Sequence, residues 1–244
     1  MARTVKDAAT MLGVIAGKDE EDAKTNLIPF ELIPNFPEVC GQTDISGFRI
    51  GVPRNPVDQV ESDEILETFW GVVDLLRAQV AKVIEFDFPG QAIFDKLSSA
   101  ERLDAMAGDF SVAISDYLRE LTHNPYNLQA IKDICSFVKN TEGEEYPERN
   151  VECLEQAVSR VASSAKYKDA QGVRAYLAGD GGIKGALTEF SLDAIVVPSE
   201  APANYFAACG GFPQITVPLG YQTADLEVKY NDTGNLVEEG LNMP

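Results

Sequence analysis

A strand–helix–strand pattern in residues 48–88 constrains the fold of this chain more than any other feature of its sequence. Residues 48–53 form a short, mainly apolar run that ends in proline. Residues 82–88 alternate between apolar and polar side chains, as a half-buried strand does. Between these runs, apolar side chains recur at helical spacing from Ser62, a typical helix-capping residue, to about residue 80. A strand, a helix and a strand in this order predict a crossover unit.

Helical periodicity dominates the middle of the chain, from about residue 91 to residue 190. The tract His123–Asn127 interrupts it with an Asn-Pro pair, and residues 141–149 form an acidic loop. Glycines at positions 179, 181, 182 and 185 predict a turn that leads into a short helix. The predicted helices cover residues 91–107, 109–121, 128–138, 151–177 and 186–190.

One further helix and two further strands are predicted outside this middle part and the crossover unit. Thr4 can cap a helix at the start of the chain, with Asp7 three residues after it. Residues 195–197 are consecutive β-branched apolar residues, so residues 192–198 are predicted to form a strand buried on both faces. Residues 215–218 predict a second short strand.

The charge of the chain excludes two classes of partner. Its 39 Asp and Glu residues against 20 Lys and Arg residues give a formal net charge of −19. An acidic surface repels phosphate backbones and anionic headgroups, so no nucleic-acid partner and no membrane partner is predicted. No apolar run approaches the roughly 18 residues of a membrane-spanning helix, and residues 1–7 do not resemble a signal peptide. These observations predict a cytoplasmic protein.

The cysteines and the histidine are scattered. Cys40, Cys135, Cys153 and Cys209 lie far apart without a C-x-x-C pair, and His123 is the only histidine. This spacing excludes the common zinc sites. The cysteines are predicted to be free thiols of a reducing compartment. Neither a metal nor a cofactor is predicted.

Several patterns that resemble catalytic motifs do not meet their requirements. Residues 179–185 are rich in glycine but lack the Gly-Lys-Ser/Thr ending of a phosphate-binding loop. No G-x-S-x-G motif occurs, and the position of His123 in a loop disfavours a Ser-His-Asp triad. Adjacent carboxylates such as Glu144 and Glu145 carry little information among 39 acidic residues, so no glycosidase-type pair is predicted.

Four segments in a fixed order resemble the amidase-signature family. Residues 2–9, ARTVKDAA, are similar to the helix that follows the family's signature region, and residues 49–53, RIGVP, match one of its strands. Residues 192–199, LDAIVVPS, are similar to its LDAxxxPT strand, and residues 211–220, GFPQITVPLG, to its GxPxxxVPxG segment. The four occur in the family's order across about 220 residues, and the helical middle looks most like fungal members.

The resemblance implies an α/β fold with a mixed central sheet covered by helices, of which residues 1–244 form only a part. It also implies hydrolysis of carboxamides by a serine nucleophile, a second serine and a lysine base, because a serine hydroxyl attacks only after a base removes its proton. In the family these residues lie in a Gly/Ser-rich stretch that this sequence does not contain. No catalytic residue is therefore assigned, and the chain is expected to be inactive by itself. Two alternatives stay open: the amidotransferase of the same fold, through its A subunit, and a degenerate relative that acts as a non-catalytic interaction module.

The same resemblance points to four residues that line the substrate pocket. Ser199 follows the LDAxxxPT-like strand, and Gly210, Gly211 and Phe212 form the loop before residues 215–218. The alternative is that these residues only form tight turns that the backbone requires. The expected partner is a small-molecule amide, bound once the missing segment completes the site. Absent strands would leave sheet edges unpaired, so marginal stability, self-association or a need for a partner is expected.

Overall fold

The computed structural model describes residues 2–29, 31–42, 44–79, 81–159, 164–220, 229–230 and 236–238. Five strands are present in these ranges: β1 (Arg49–Pro53), β2 (Lys82–Phe86), β3 (Ala194–Ile195), β4 (Lys229–Tyr230) and β5 (Leu236–Glu238). The helices are α1 (Val5–Ile15), α2 (Phe36–Val39), α3 (Arg54–Val57), α4 (Asp63–Ala78), α5 (Gln91–Phe94), α6 (Ser99–Glu120), α7 (Ile131–Asn140), α8 (Glu152–Val158), α9 (Ala165–Ala178), α10 (Ile183–Glu189) and α11 (Ala203–Gly210). Two short 3-10 turns, Ala23–Leu27 and Glu142–Glu144, complete the set.

The central sheet consists of three parallel strands in the order β2-β1-β3. Gly51 in the middle of β1 pairs with Ile84 on one side and with Ile195 on the other. Helix α4 connects β1 to β2, which confirms the predicted crossover unit. Strands β4 and β5 form a separate antiparallel pair. The chain is therefore of the α/β class, as predicted.

Two apolar clusters cover the two faces of this sheet. On β2, Val83 packs against a cluster built on Phe69 and Val73 of α4, whereas Ile84 packs against the other cluster. Successive side chains of a strand point to opposite faces, so the two clusters lie on opposite sides. The cluster that contacts Ile84 joins the sheet to helices α9, α10 and α11. Its buried residues are Phe86, Phe88, Phe94, Leu177, Ala186, Leu192, Ala203 and Phe206.

The helix starts agree with the capping residues of the sequence. The Thr4 side chain accepts a hydrogen bond from the backbone N–H of Asp7, and the Ser62 side chain accepts one from the N–H of Ile65. Both caps were predicted. Ser98 and Glu101 form a reciprocal capping box that starts α6, and this start was not predicted.

Several predicted elements differ from those observed. Residues 99–120 form one helix, and Gly108, at the predicted break, lies against the ring of Tyr167 in α9. The predicted helix over residues 151–177 is instead described as α8 and α9. The strand predicted over residues 192–198 has two paired residues, and residues 195–197 are only partly buried.

The strand predicted over residues 215–218 is not formed. These residues belong to neither a helix nor a strand, and Ile215 and Val217 are exposed. A strand exists only where a neighbour accepts and donates its backbone hydrogen bonds, and within the described residues this segment has no such neighbour.

Candidate functional site

The carboxyl edge of the parallel sheet is the first place to look for a site. All three strands end at this edge, and the segments that follow them are residues 54–55, 87–90 and 196–200. In open α/β sheets, ligands bind in the crevice outside the carboxyl ends of the strands. Ser199, one of the four predicted pocket residues, belongs to the segment that follows β3.

Asn55 joins the ends of two strands at this edge. Its side-chain Nδ2 donates to the carbonyl oxygen of Phe88 at 2.9 Å, and its Oδ1 accepts from the N–H of Phe88 at 2.9 Å. The backbone N–H of Asn55 also donates to Asp87 at 3.1 Å. These bonds hold the segments after β1 and β2 in one position. Asn55, two residues after the end of β1, was not predicted as a site residue.

A buried amide lies next to this edge. Gln91 at the start of α5 is 2% exposed, and its Nε2 donates to Oδ1 of Asp95 at 2.8 Å. Gln59 donates to the same carboxylate at 3.1 Å. Within the described part of the chain, the carbonyl Oε1 of Gln91 has no hydrogen-bond partner. A buried acceptor without a partner costs about 1–3 kcal/mol.

Ser199 is exposed and lies in a turn. Pro198 before it is buried, and the N–H of Ala201 donates to the carbonyl oxygen of Pro198 at 3.0 Å, which closes the turn. Among the described residues, the hydroxyl of Ser199 has no hydrogen-bond partner. It is therefore available at the sheet edge for a ligand that offers a donor or an acceptor.

Gly210, Gly211 and Phe212 form the end of helix α11. Gly211 has φ of 68° and ends the helix in the left-handed conformation. The N–H of Phe212 donates to the carbonyl oxygen of Ala207 at 3.0 Å, and that of Gly211 to Ala208 at 3.4 Å. This pair of bonds is the Schellman motif. The Phe212 ring lies directly against Gly210, where a Cβ would be 2.5 Å from its Cε2.

The backbone at Gly211 yields a test of this helix end. We expect Gly211→Ala to lower the free energy of unfolding by about 1 kcal/mol, because a Cβ is strained in the left-handed region. Gly211→Asn is the matched control, since asparagine tolerates this conformation, and it is expected to cost less. Urea denaturation of both variants measures the difference. Equal stability of wild type and Gly211→Ala would contradict the role of Gly211 as a helix terminator.

The four predicted pocket residues lie on either side of α11, with Ser199 four residues before its start and Gly210–Phe212 at its end. Gly210, Gly211 and Phe212 are in mutual contact or adjacent, while Ser199 precedes the other end of α11. This helix has 8 residues, so its length is about 12 Å at 1.5 Å per residue.

A cavity of about 270 Å³ is lined by residues of α6, α9 and α11. Asp104 on its wall is 2% exposed and forms an ion pair with Lys166, with 2.9 Å between Oδ2 and Nζ. Tyr205 also lines it and donates to the carbonyl oxygen of Arg102 at 2.8 Å. Burial is the largest cause that raises the pKa of Tyr205 to about 12. The phenol is therefore neutral at physiological pH and acts as a hydrogen-bond donor.

The described residues contain no arrangement of the serine–lysine type. In these ranges no lysine amine donates to a serine hydroxyl; Lys139 pairs with Glu155, and Lys166 with Asp104. The same ranges hold no group of three or more His, Cys, Asp or Glu side chains suited to a metal ion. None of the described helices has both the length and the apolar character needed to cross a bilayer.

Comparison with known proteins assigns the family. The amidase family model matches residues 1–208, which is most of the chain. This chain belongs to the amidase family. A protein of Arthroderma benhamiae named as an amidase is 32% identical to this chain over 248 residues. The match covers 100% of this chain and 41% of that protein. The resemblance inferred from the four sequence segments is therefore confirmed.

Two further relatives agree with this assignment. The A subunit of glutamyl-tRNA(Gln) amidotransferase from Synechococcus sp. is 27% identical over 274 residues, covering 98% of the amidase-family chain and 51% of that relative. The solved structure of the native peptide amidase from Stenotrophomonas maltophilia superposes with a TM-score of 0.72 at 26% identity. That match covers 97% of the chain and 47% of the peptide amidase. The amidase-family chain thus spans about half the length of the curated relatives it matches.

Proposed function

We propose that this chain contributes to a C–N hydrolase that cleaves small carboxamides. The observation that carries the proposal is the amidase family match over residues 1–208. A superposition with TM-score 0.72 on a peptide amidase supports the same activity class. In this proposal, residues 1–244 form one partial amidase-signature domain, with a helix-rich middle from about residue 91 to residue 190.

The chain supplies the wall of the amide site rather than its reacting groups. Hydrolysis of a carboxamide needs a nucleophile, a base that activates it, and donors for the negative oxygen of the intermediate. Ser199 offers a hydroxyl that has no hydrogen-bond partner among the described residues, and Phe212 offers a partly buried ring held against Gly210. We assign substrate contact to Ser199, Gly210, Gly211 and Phe212, and nucleophile and base to residues outside this chain.

An activity assay tests whether the chain lacks the nucleophile and the base. The purified 244-residue chain is expected to give no turnover of simple aliphatic or aryl amides above the buffer rate, measured as released ammonia or amine. Its matched control is a chain treated with a serine-directed phosphonate, which is expected to behave identically. Turnover that the phosphonate abolishes would show that the chain carries its own nucleophile and would overturn the assignment.

Two other functions have specific support. The first is that of an amidotransferase, which the similarity to the Synechococcus relative favours. The second is a non-catalytic interaction module, favoured by the lack of a serine–lysine pair among the described residues. A preparation that also contains a catalytic serine–lysine segment of the family separates them: glutamine-dependent ammonia release indicates the first, and turnover of aliphatic or aryl amides indicates the hydrolase. If neither glutamine nor the amides are turned over, the result indicates the non-catalytic interaction module.

We also propose a location and an assembly state for the chain. Cys40, Cys135, Cys153 and Cys209 are all free thiols, which supports a reducing cytoplasmic compartment. Exposed apolar side chains support a chain that self-associates or requires a partner when it is isolated. A sharp melting transition of a monomer, with a midpoint that does not depend on concentration, would contradict this proposal.

A further inference from the structure

The cavity lined by α6, α9 and α11 contains a buried carboxylate whose charge partner reaches it from the solvent side. The side chain of Asp104 is 2% exposed, whereas that of Lys166 is 62% exposed. The ammonium Nζ of Lys166 lies 2.9 Å from Oδ2 of Asp104. A carboxylate is rarely buried without a partner, because its removal from water costs far more free energy than that of a neutral group. Asp104 therefore requires a cation at this place in the cavity.

Lys166 can release Asp104 at small cost. Its side chain is mostly in water, so holding the ammonium in one position loses rotamer entropy and buries little apolar surface in return. The four-carbon stem of a lysine is flexible, and rotation about its bonds moves the ammonium back into solvent. A cation that also fills the cavity can take the place of the Lys166 ammonium.

The wall of the cavity carries an excess of negative charge. Glu101 and Asp169 line it together with Asp104. Among the described residues that line it, Lys166 is the only cationic one. Three carboxylates and one ammonium give this lining a formal charge of −2, of the same sign as the net charge of −19 of the whole chain. Such a wall attracts cations and repels anions.

The size and the apolar part of the cavity limit which cation fits. Leu97, Ala170 and Val173 line it beside the carboxylates, so a hydrocarbon group gains free energy by burial there. Within the described part of the chain, no three ligating side chains converge as a metal ion requires. The volume of about 270 Å³ is below the roughly 300–1,000 Å³ of pockets for drug-sized ligands. These features favour a small organic cation with a short hydrocarbon chain.

We propose that this cavity binds a short-chain primary amine in its ammonium form. The ammonium of the ligand replaces that of Lys166 on Asp104, and the hydrocarbon chain lies against Leu97, Ala170 and Val173. A primary ammonium offers three N–H donors, as the side chain of lysine does. Binding of this ligand requires no reacting group, so the inference goes beyond the proposed function and does not depend on it.

Titration calorimetry with n-butylammonium chloride tests the inference. The purified 244-residue chain is titrated at pH 7 and low ionic strength, where an alkylamine is protonated as a lysine is. Saturable 1:1 binding is expected. Butanol and butyrate have the same chain length without the positive charge, and tetramethylammonium has the charge without N–H donors. All three are expected to bind at least tenfold more weakly.

Two charge variants with matched controls locate the ligand. Asp104→Asn keeps the shape of the side chain and removes its charge, and it is expected to weaken n-butylammonium binding at least tenfold. Asp116→Asn makes the same change at an exposed position of α6 and is expected to alter the affinity less than twofold. Lys166→Gln removes the competing ammonium and is expected to tighten binding at least threefold. Its control is Lys168→Gln at an exposed position of α9, with less than a twofold effect expected.

A third variant changes the volume of the cavity without changing its charge. Ala170→Leu fills the apolar part and is expected to weaken binding at least fivefold. Circular dichroism checks that each variant is folded; if Asp104→Asn is not, Lys166→Gln and Ala170→Leu decide.

Three results would overturn the inference. The first is wild-type binding of n-butylammonium no tighter than that of butanol. The second is binding to Lys166→Gln alone, which would make Lys166 the permanent partner of Asp104. The third is an equal loss in Asp104→Asn and Asp116→Asn, which would indicate general attraction to an acidic surface. None of these measurements involves turnover, so failure here leaves the proposed function standing.

Discussion

Replacement of Phe206 by alanine is expected to lower the free energy of unfolding by about 3–5 kcal/mol, the usual cost of an aromatic-to-alanine change in a core. Phe206 is fully buried. Its ring stacks on Phe88 with 4.9 Å between centroids and contacts Phe94 at 5.6 Å. Truncation removes these contacts and leaves a cavity between α11 and the sheet.

The control for this change is Tyr117→Ala. Tyr117 is an aromatic residue on α6 that is 58% exposed, so its truncation removes little buried surface and is expected to change stability by less than about 0.5 kcal/mol. Urea denaturation followed by circular dichroism compares the two variants. If both lose the same stability, the cluster around Phe206 is not the core that holds α11 to the sheet.

Gly182→Ala is expected to destabilise the chain by about 3 kcal/mol, near the upper range of overpacking. A Cβ at this position would lie 2.0 Å from the carbonyl oxygen of Leu177 and 2.9 Å from Cδ1 of Phe206. The first atom belongs to the backbone of α9, so it cannot rotate away as a side chain would. The turn between α9 and α10 must open to accept the methyl group.

Gly172→Ala provides a matched control for that clash. Gly172 lies inside α9, and a Cβ there would meet nothing within 4 Å. The same substitution is expected to stabilise the chain by about 0.5–1 kcal/mol, because alanine favours helix more than glycine does. Opposite signs in the same denaturation assay confirm the close approach at Gly182. A stabilising effect at both positions would contradict it.

The candidate site was only partly accessible to sequence reasoning. The family resemblance directed attention to Ser199 and Gly210–Phe212, and the glycines were recognised as candidates for tight turns. Their contact with substrate stays a prediction. The sequence did not indicate that Asn55 joins the segments after β1 and β2. That bond depends on the alignment of two strands that are about 30 residues apart in the chain.

Local interactions explain what the sequence determined. The Thr4 and Ser62 caps join residues three positions apart, and the crossover unit follows from periodicities of adjacent segments. Neither depends on distant parts of the chain. The order of four short motifs determined the family in the same way, because each motif is read from consecutive residues.

Only the tertiary structure decided where strands and helix breaks occur. Residues 192–198 and 215–218 both carry strand-like sequences, yet only the first segment lies beside a strand. Ala194 and Ile195 pair with β1, to which the N–H groups of Asp193 and Val196 also donate, whereas residues 215–218 have no neighbour among the described strands. Helix α6 continues through Gly108, whose missing side chain leaves room for the ring of Tyr167, 59 residues later. Backbone pairing and side-chain packing require a partner from elsewhere in the fold, and sequence periodicity does not identify that partner.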